Sequence, residues 1–208
     1  MRRRHPVGWF VAGIGALGLT LVVGWWRVDG PGAPVSAGPL PLALSAMDFS
    51  LTDHDGSEVG PLALIGRSSM VFFGFTHCPD VCPTTLADIS SWLDDLGAEA
   101  ERLNVVFVTV DPERDSVEAM AEYVGYFHRR IRGWTSTRAQ IARAAEGFRV
   151  TYAKVPTDGG DYTMNHTASV FLFDAKGRFV STIDFHEPRE FAVPKIRRAI
   201  RTATEGAT

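Results

Sequence analysis

In Met70-Val71-Phe72-Phe73-Gly74-Phe75-Thr76-His77-Cys78-Pro79-Asp80-Val81-Cys82-Pro83, an uninterrupted apolar run gives way within a few residues to a pair of cysteines. A short apolar run of this kind reads as a strand buried on both faces, as in the middle of a parallel sheet. Beyond the cysteines Leu86, Ile89, Leu93 and Leu96 recur at helical spacing and Gly97 ends the pattern, which predicts a helix over about residues 83–96. Strand, cysteine loop and helix form the unit around which the rest of the chain is arranged.

Downstream, Leu103 to Val110 reads as a second buried strand, Ser116 to His128 as a helix, and Thr137 to Phe148 as another with Ser136 or Thr137 as its cap. Thr167 to Phe173 and Arg178 to Phe185 are expected as strands around the turn Asp174-Ala175-Lys176-Gly177, and Glu190 to Thr204 as the closing helix. Upstream, Phe49-Ser50-Leu51-Thr52 and the turn Asp53-His54-Asp55-Gly56 suggest a hairpin. Strands alternating with helices imply an α/β sheet, to which the last hairpin adds antiparallel strands at one side. The pattern is thioredoxin-like.

The N-terminus differs in kind. Arg2, Arg3 and Arg4 precede an uncharged stretch from Val7 to Trp26, with Trp9 near one end and Trp25 and Trp26 at the other. As a helix rising about 1.5 Å per residue it would be about 30 Å long, the hydrocarbon thickness of a bilayer, with its indoles at the two interfaces. Residues 1–28 therefore read as a membrane anchor, and the arginines keep that end in the cytoplasm. A cleaved signal peptide is the competing reading, since Val35-Ser36-Ala37 offers small residues, although the apolar region exceeds the ~7–15 residues usual for one. Residues 29–41, rich in Gly, Pro, Ala and Ser, read as a flexible linker, leaving 42–208 as the folded domain. Without Arg2, Arg3, Arg4 and Arg27 the 21 basic residues fall to 17 against 24 acidic ones, a net of −7. An acidic domain with no basic stripe among aromatics is not a nucleic-acid binder.

Cys78 and Cys82 are the two cysteines of the chain. If helical geometry begins near Cys78, an i, i+4 pair shares one face, with sulfurs close enough for a metal or a disulfide. A helix N-terminus also favours the thiolate. A structural disulfide is the bland alternative, but closing so short a loop removes little unfolded-chain entropy.

Gly74-Phe75-Thr76-His77-Cys78-Pro79-Asp80-Val81-Cys82-Pro83 closely resembles the signature of the SCO/SenC copper-chaperone family, as do Val110-Asp111-Pro112-Glu113-Arg114-Asp115 and Asn165-His166-Thr167. The resemblance runs from about Phe49 to the C-terminus and extends to a single N-terminal anchor. It implies that Cys78, Cys82 and His166 bind one copper ion per chain. The inorganic chemistry agrees: two thiolates suit Cu(I), an imidazole accepts Cu(I) or Cu(II), and a structural zinc would want a fourth protein ligand. It also implies an inner-membrane location with the domain in the periplasm or its equivalent. A periplasmic copper donor protein and cytochrome c oxidase subunit II are the implied partners. Family members often carry an acidic residue where this chain has Asn165, a difference bearing on the surroundings of the histidine rather than on the ligand set.

The remaining polar residues have blander roles. His77 adjoins Cys78 and is a secondary candidate ligand; His54, His128 and His186 read as surface or capping residues, and His5 lies in the cytoplasmic flank. Asp80 either polarises the cysteine loop or caps the helix, Asp111 and Asp115 either resemble the family's acidic loop or are solvated charges of a proline turn, and Met164 either packs or offers a soft thioether near His166. A thiol-disulfide oxidoreductase or redox sensor using the Cys78/Cys82 pair is the alternative function. Against it, Met164-Asn165-His166-Thr167 lacks the cis-proline that such enzymes place opposite their cysteines. A peroxidase leaves the histidine unexplained, and an adhesion domain leaves the cysteines so.

Overall fold

The computed structural model describes residues 42–202, and the sequence-predicted anchor and linker lie outside the described residues. Among the described residues no helix is long and apolar enough to cross a membrane. The apolar run of the cysteine stretch forms β3 (Ser68–Gly74), every residue of which is buried. Strands buried on both faces need neighbours on both sides. Accordingly β3 pairs in parallel with β4 (Leu103–Thr109), from Ser68↔Leu103 to Gly74↔Thr109, and antiparallel with β8 (Val170–Phe173). β5 (Ile131–Thr135) runs parallel to β4, the hairpin β1 (Leu51–Asp53) and β2 (Glu58–Val59) adds to β5, and β9 (Phe179–Ile183) closes the far edge. The seven-stranded order is β2-β1-β5-β4-β3-β8-β9, an α/β sheet of thioredoxin-like type.

α1 (Val81–Leu96) links β3 to β4 and buries Leu86, Ile89, Trp92, Leu93 and Leu96. α2 (Val117–Gly125) and α3 (Arg138–Phe148) are capped by Ser116 and Thr137, whose hydroxyls accept the N–H groups of Ala119 and Gln140. α4 (Arg189–Thr202) closes the described chain. Alternation along β3 sends Phe72 and Phe73 to opposite faces. Phe72 stacks on Phe107 of β4 at 5.7 Å, and Phe73 meets Phe148 of α3 at 5.2 Å in an aromatic cluster that includes Phe49, Phe171 and Phe173.

Several elements depart from the expectations. β5 lacks a readable period, because Arg132 and Gly133 interrupt its apolar pattern; Gly133 lies close under α2, where a Cβ would come within 3.1 Å of Val124 and 3.2 Å of Met120 and press on both side chains. A further hairpin, β6 (Tyr152–Pro156) and β7 (Tyr162–His166), forms its own two-stranded sheet. Four of the five β6 residues are exposed, so it carries no hydrophobic signature. The strand expected from Thr167 begins only at Val170, and the helix expected to reach His128 ends at Gly125.

Candidate metal centre

β3 and β4 both end at the pole of the sheet that carries the cysteines. α1 begins at Val81, so Cys78 precedes the helix, and the expectation of an i, i+4 pair on one helical face is corrected. The sulfurs meet for another reason: the backbone N–H of Cys82 donates to Cys78 Sγ at 3.4 Å, so this sulfur serves one of the orphan N–H groups of the first turn. Asp80 occupies the N-cap position, but its side chain caps no N–H group. Cys82 is fully buried and Cys78 half-buried, and both are free thiols.

His166 enters from the end of β7, where it pairs with Tyr152. Its Nδ1 donates to the Thr167 carbonyl at 2.9 Å, since a carbonyl can only accept. That fixes the tautomer and turns Nε2 towards Cys82 Sγ, 3.5 Å away, the orientation a metal-binding histidine adopts. Phe72 and Phe75 flank the imidazole edge-on at 6.2 and 5.9 Å. The donor atoms of Cys78, Cys82 and His166 all lie within 4.8 Å of one another. One ion can therefore be held by two sulfurs and an imidazole against an apolar wall.

The thiols are electrostatically unequal. Cys78 is pulled down to about 4, first by the hydrogen bond from the Cys82 thiol, with the N–H groups of Asp80 and Cys82 adding to it and burial opposing. Cys82 is pushed far above the ordinary thiol range by that same bond, by burial and by the adjacent Cys78 charge. The pair thus holds one proton on the inner sulfur and presents the outer one as thiolate.

Of the other candidates, His77 is 55% exposed, bonds Thr76 Oγ1 through Nδ1, and lies outside the donor cluster. Met164 is buried in the core and Asn165 is exposed. His54 Nδ1 accepts the Gly133 N–H and His128 Nδ1 that of Arg130, which are the local roles expected of them. Asp111 and Asp115 are not solvated: they are 1% and 0% exposed. Asp115 accepts from Thr76 N at 3.0 Å, Thr76 Oγ1 at 2.6 Å and Thr109 Oγ1 at 2.6 Å, pinning the cysteine loop to the end of β4. Gly74 was also missed: a Cβ there would stand 2.6 Å from Cys82 Sγ. The available signal was position, since Gly74 ends the buried strand β3, and Asp111 and Asp115 follow the buried strand β4, at the cysteine pole.

Residues 40–201 match the SCO1/SenC family model. The mouse protein "SCO2 homolog, mitochondrial" is 39% identical over 161 residues, which are 76% of this chain and 63% of that protein. The chain thus spans about six-tenths of the length of such curated relatives. The structure of Bradyrhizobium japonicum ScoI with copper bound is 43% identical with a TM-score of 0.68, covering 73% of this chain and 96% of that one. BsSco, described as a member of the Sco family of cytochrome c oxidase assembly proteins with a disulfide switch, is 22% identical with a TM-score of 0.61, covers 78% of this chain and 96% of that one, and shares the fold. With the family match running over the whole described domain, and a relative at this identity carrying the same fold, the chain belongs to the SCO1/SenC family.

Proposed function

We propose that the chain binds one copper ion through Cys78, Cys82 and His166 and delivers it, after loading by a periplasmic copper donor, to the binuclear copper site of cytochrome c oxidase subunit II. The observation that carries this is the convergence of two sulfurs and one imidazole nitrogen within 4.8 Å. Soft thiolates hold Cu(I), and the imidazole lets the same set hold Cu(II). The copper-bound ScoI relative supports the choice of metal.

The asymmetry of the thiols suits transfer. Cys82 is the buried ligand, while the Cys78 thiolate and His166 are both half-buried at the mouth of the site. A client thiolate arriving from solvent can reach the half-buried Cys78 side and replace that sulfur while the buried Cys82 still holds the ion. Residues 1–28 would anchor the chain in the inner membrane and 29–41 would tether the domain on the extracytoplasmic side, so that donor and client meet it at the membrane surface.

Thiol-disulfide exchange is the second reading, favoured by the low-lying Cys78 thiol beside a protonated Cys82. Cys78 Sγ would attack a client disulfide and release one client thiolate. Cys82, on losing its proton, would then attack Cys78 Sγ and release the second, leaving a Cys78–Cys82 disulfide and two electrons on the client.

His166 separates the readings, because exchange does not need it. Cells expressing His166→Ala should lose oxidase assembly unless copper is in excess, while the Cys78–Cys82 couple still cycles in vitro. Full oxidase activity at low copper with this variant at normal abundance overturns copper delivery in favour of exchange.

A further inference from the structure

The ligands of the centre sit on two elements that are not hydrogen-bonded to each other as sheet. Cys78 and Cys82 belong to the loop and helix after β3, whereas His166 belongs to the separate β6–β7 hairpin. No ladder to the main sheet fixes that hairpin: its His166 end is tied to the sheet by the short link to Val170 of β8, and its Tyr162 end has to be held by side chains. Alternation along β7 puts Tyr162, Met164 and His166 on one face. Met164 is buried in the core, and Tyr162, one end of the same row, meets the segment Asp111–Asp115.

That meeting is dense. Tyr162 Oη donates to Asp111 Oδ1 at 2.9 Å, Arg114 Nη1 donates to the Tyr162 carbonyl at 3.0 Å, and Arg114 Nε donates to Asp111 Oδ2, closing a ring of three residues. The Arg114 guanidinium lies 3.9 Å from the Tyr162 ring centroid and Lys154 Nζ 4.0 Å from it, both within cation–π range. Glu113 bonds Lys154 of β6 at 2.7 Å. Meanwhile Asp115, one residue after Arg114, holds the cysteine loop through Thr76. A single five-residue segment thus grips both ligand-bearing elements.

We propose that Asp111, Arg114 and Tyr162 form a clasp that positions His166 over Cys78 and Cys82, the segment Asp111–Asp115 acting as a bracket that fixes the gap between the hairpin and the cysteine loop. None of the three clasp residues is a ligand; they are positioning residues. The inference rests on Cys78, Cys82 and His166 being the copper site. Its consequence is selective: loosening the hairpin withdraws the imidazole and leaves both sulfurs. Cu(II), which depends on the nitrogen, is weakened more than Cu(I), which two thiolates can still hold.

The test compares the full chain in detergent as wild type, Arg114→Met, Tyr162→Phe, His166→Ala and the double variant Arg114→Met/His166→Ala. Cu(I) and Cu(II) affinities are measured by competition with chromophoric chelators, and nitrogen coupling by electron paramagnetic resonance of the Cu(II) form. Tyr162→Phe keeps the ring and removes one hydroxyl, so it carries the test should Arg114→Met fail to fold. Arg114→Met should weaken Cu(II) at least tenfold and reduce the nitrogen coupling, Tyr162→Phe should do so severalfold, and Cu(I) affinity should change less in both. In the His166→Ala background Arg114→Met should cause no further loss, as a double-mutant cycle requires of residues acting through one ligand. Wild-type Cu(II) affinity and spectrum in both clasp variants, or equal losses with and without His166, overturn the clasp while leaving the site intact. If His166→Ala itself leaves both affinities unchanged, the copper-site reading falls and the clasp falls with it.

Discussion

Gly74→Ala places a methyl group where the structure has no room. The new Cβ would stand 2.6 Å from Cys82 Sγ and 2.7 Å from Phe107 Cε2. Non-bonded heavy atoms settle at about 3.5–4.0 Å, so each neighbour must retreat by about 1 Å. Neither is a loose chain end: Phe107 is fully buried between Phe72 and Tyr123, and Cys82 is fully buried in the first turn of α1. Overpacking of this kind costs about 1–3 kcal/mol. In a domain of this size each kcal/mol lowers Tm by about 2–4 °C, so the apo protein should lose about 2–12 °C. Because one displaced atom is a proposed ligand, copper affinity should also fall at least tenfold, about 1.4 kcal/mol. Calorimetry and chelator competition on the wild type, Gly74→Ala and Gly125→Ala provide the comparison. Gly125 ends α2, and a Cβ added there would meet nothing within 4 Å, so alanine should leave copper affinity unchanged and stability level or slightly raised. Wild-type Tm and wild-type copper affinity in Gly74→Ala would refute the packing of Cys82 under β3.

Four further outcomes are expected, the first three from the site's geometry and the last from the sequence of residues 1–28. In the metal-free protein, alkylation of Cys78 by iodoacetamide should reach its plateau rate well below neutral pH, because the thiolate persists until the pH falls towards about 4, and Cys82 should stay unmodified until the protein unfolds. Cys82→Ala removes the largest cause of that lowering, so the Cys78 plateau should move to higher pH. Asp115→Ala leaves the Thr76 N–H, the half-buried Thr76 hydroxyl and the buried Thr109 hydroxyl without their acceptor and should cost about 3 kcal/mol, seen as a lower midpoint in denaturant. Carbonate extraction of membranes from expressing cells should leave the chain in the pellet, whereas a soluble form with a new N-terminus near Gly38 supports the cleaved signal peptide.

The sheet was legible where burial imposed a pattern. The apolar run of β3, the Leu103–Thr109 strand and the leucine spacing of α1 each announce themselves because one environment repeats along them. β5 was hidden because Arg132 turns to Asp53 and Asp55 and Gly133 makes way for α2, so no period survives in five residues. The β6–β7 hairpin was hidden because its first strand is mostly solvated. The residues proposed as ligands were legible through the family resemblance, and the structure brings Cys78, Cys82 and His166 together. What surrounds them was not. A buried aspartate that pins a loop and one that is solvated look the same in sequence, so Asp111 and Asp115 disclose their roles only once Thr76, Thr109, Arg114 and Tyr162 are in place.

The central claim is that one copper is held by two sulfurs and one imidazole nitrogen. X-ray absorption at the copper edge of the full chain in detergent, loaded with one equivalent of Cu(I), reads the ligand atoms directly, with His166→Ala and Cys78→Ser beside it. The account expects one copper per chain with two sulfur neighbours and one nitrogen, the nitrogen lost in His166→Ala and stoichiometric high-affinity binding lost in Cys78→Ser. A spectrum without nitrogen that His166→Ala leaves unchanged, or full copper retention in Cys78→Ser, would contradict it.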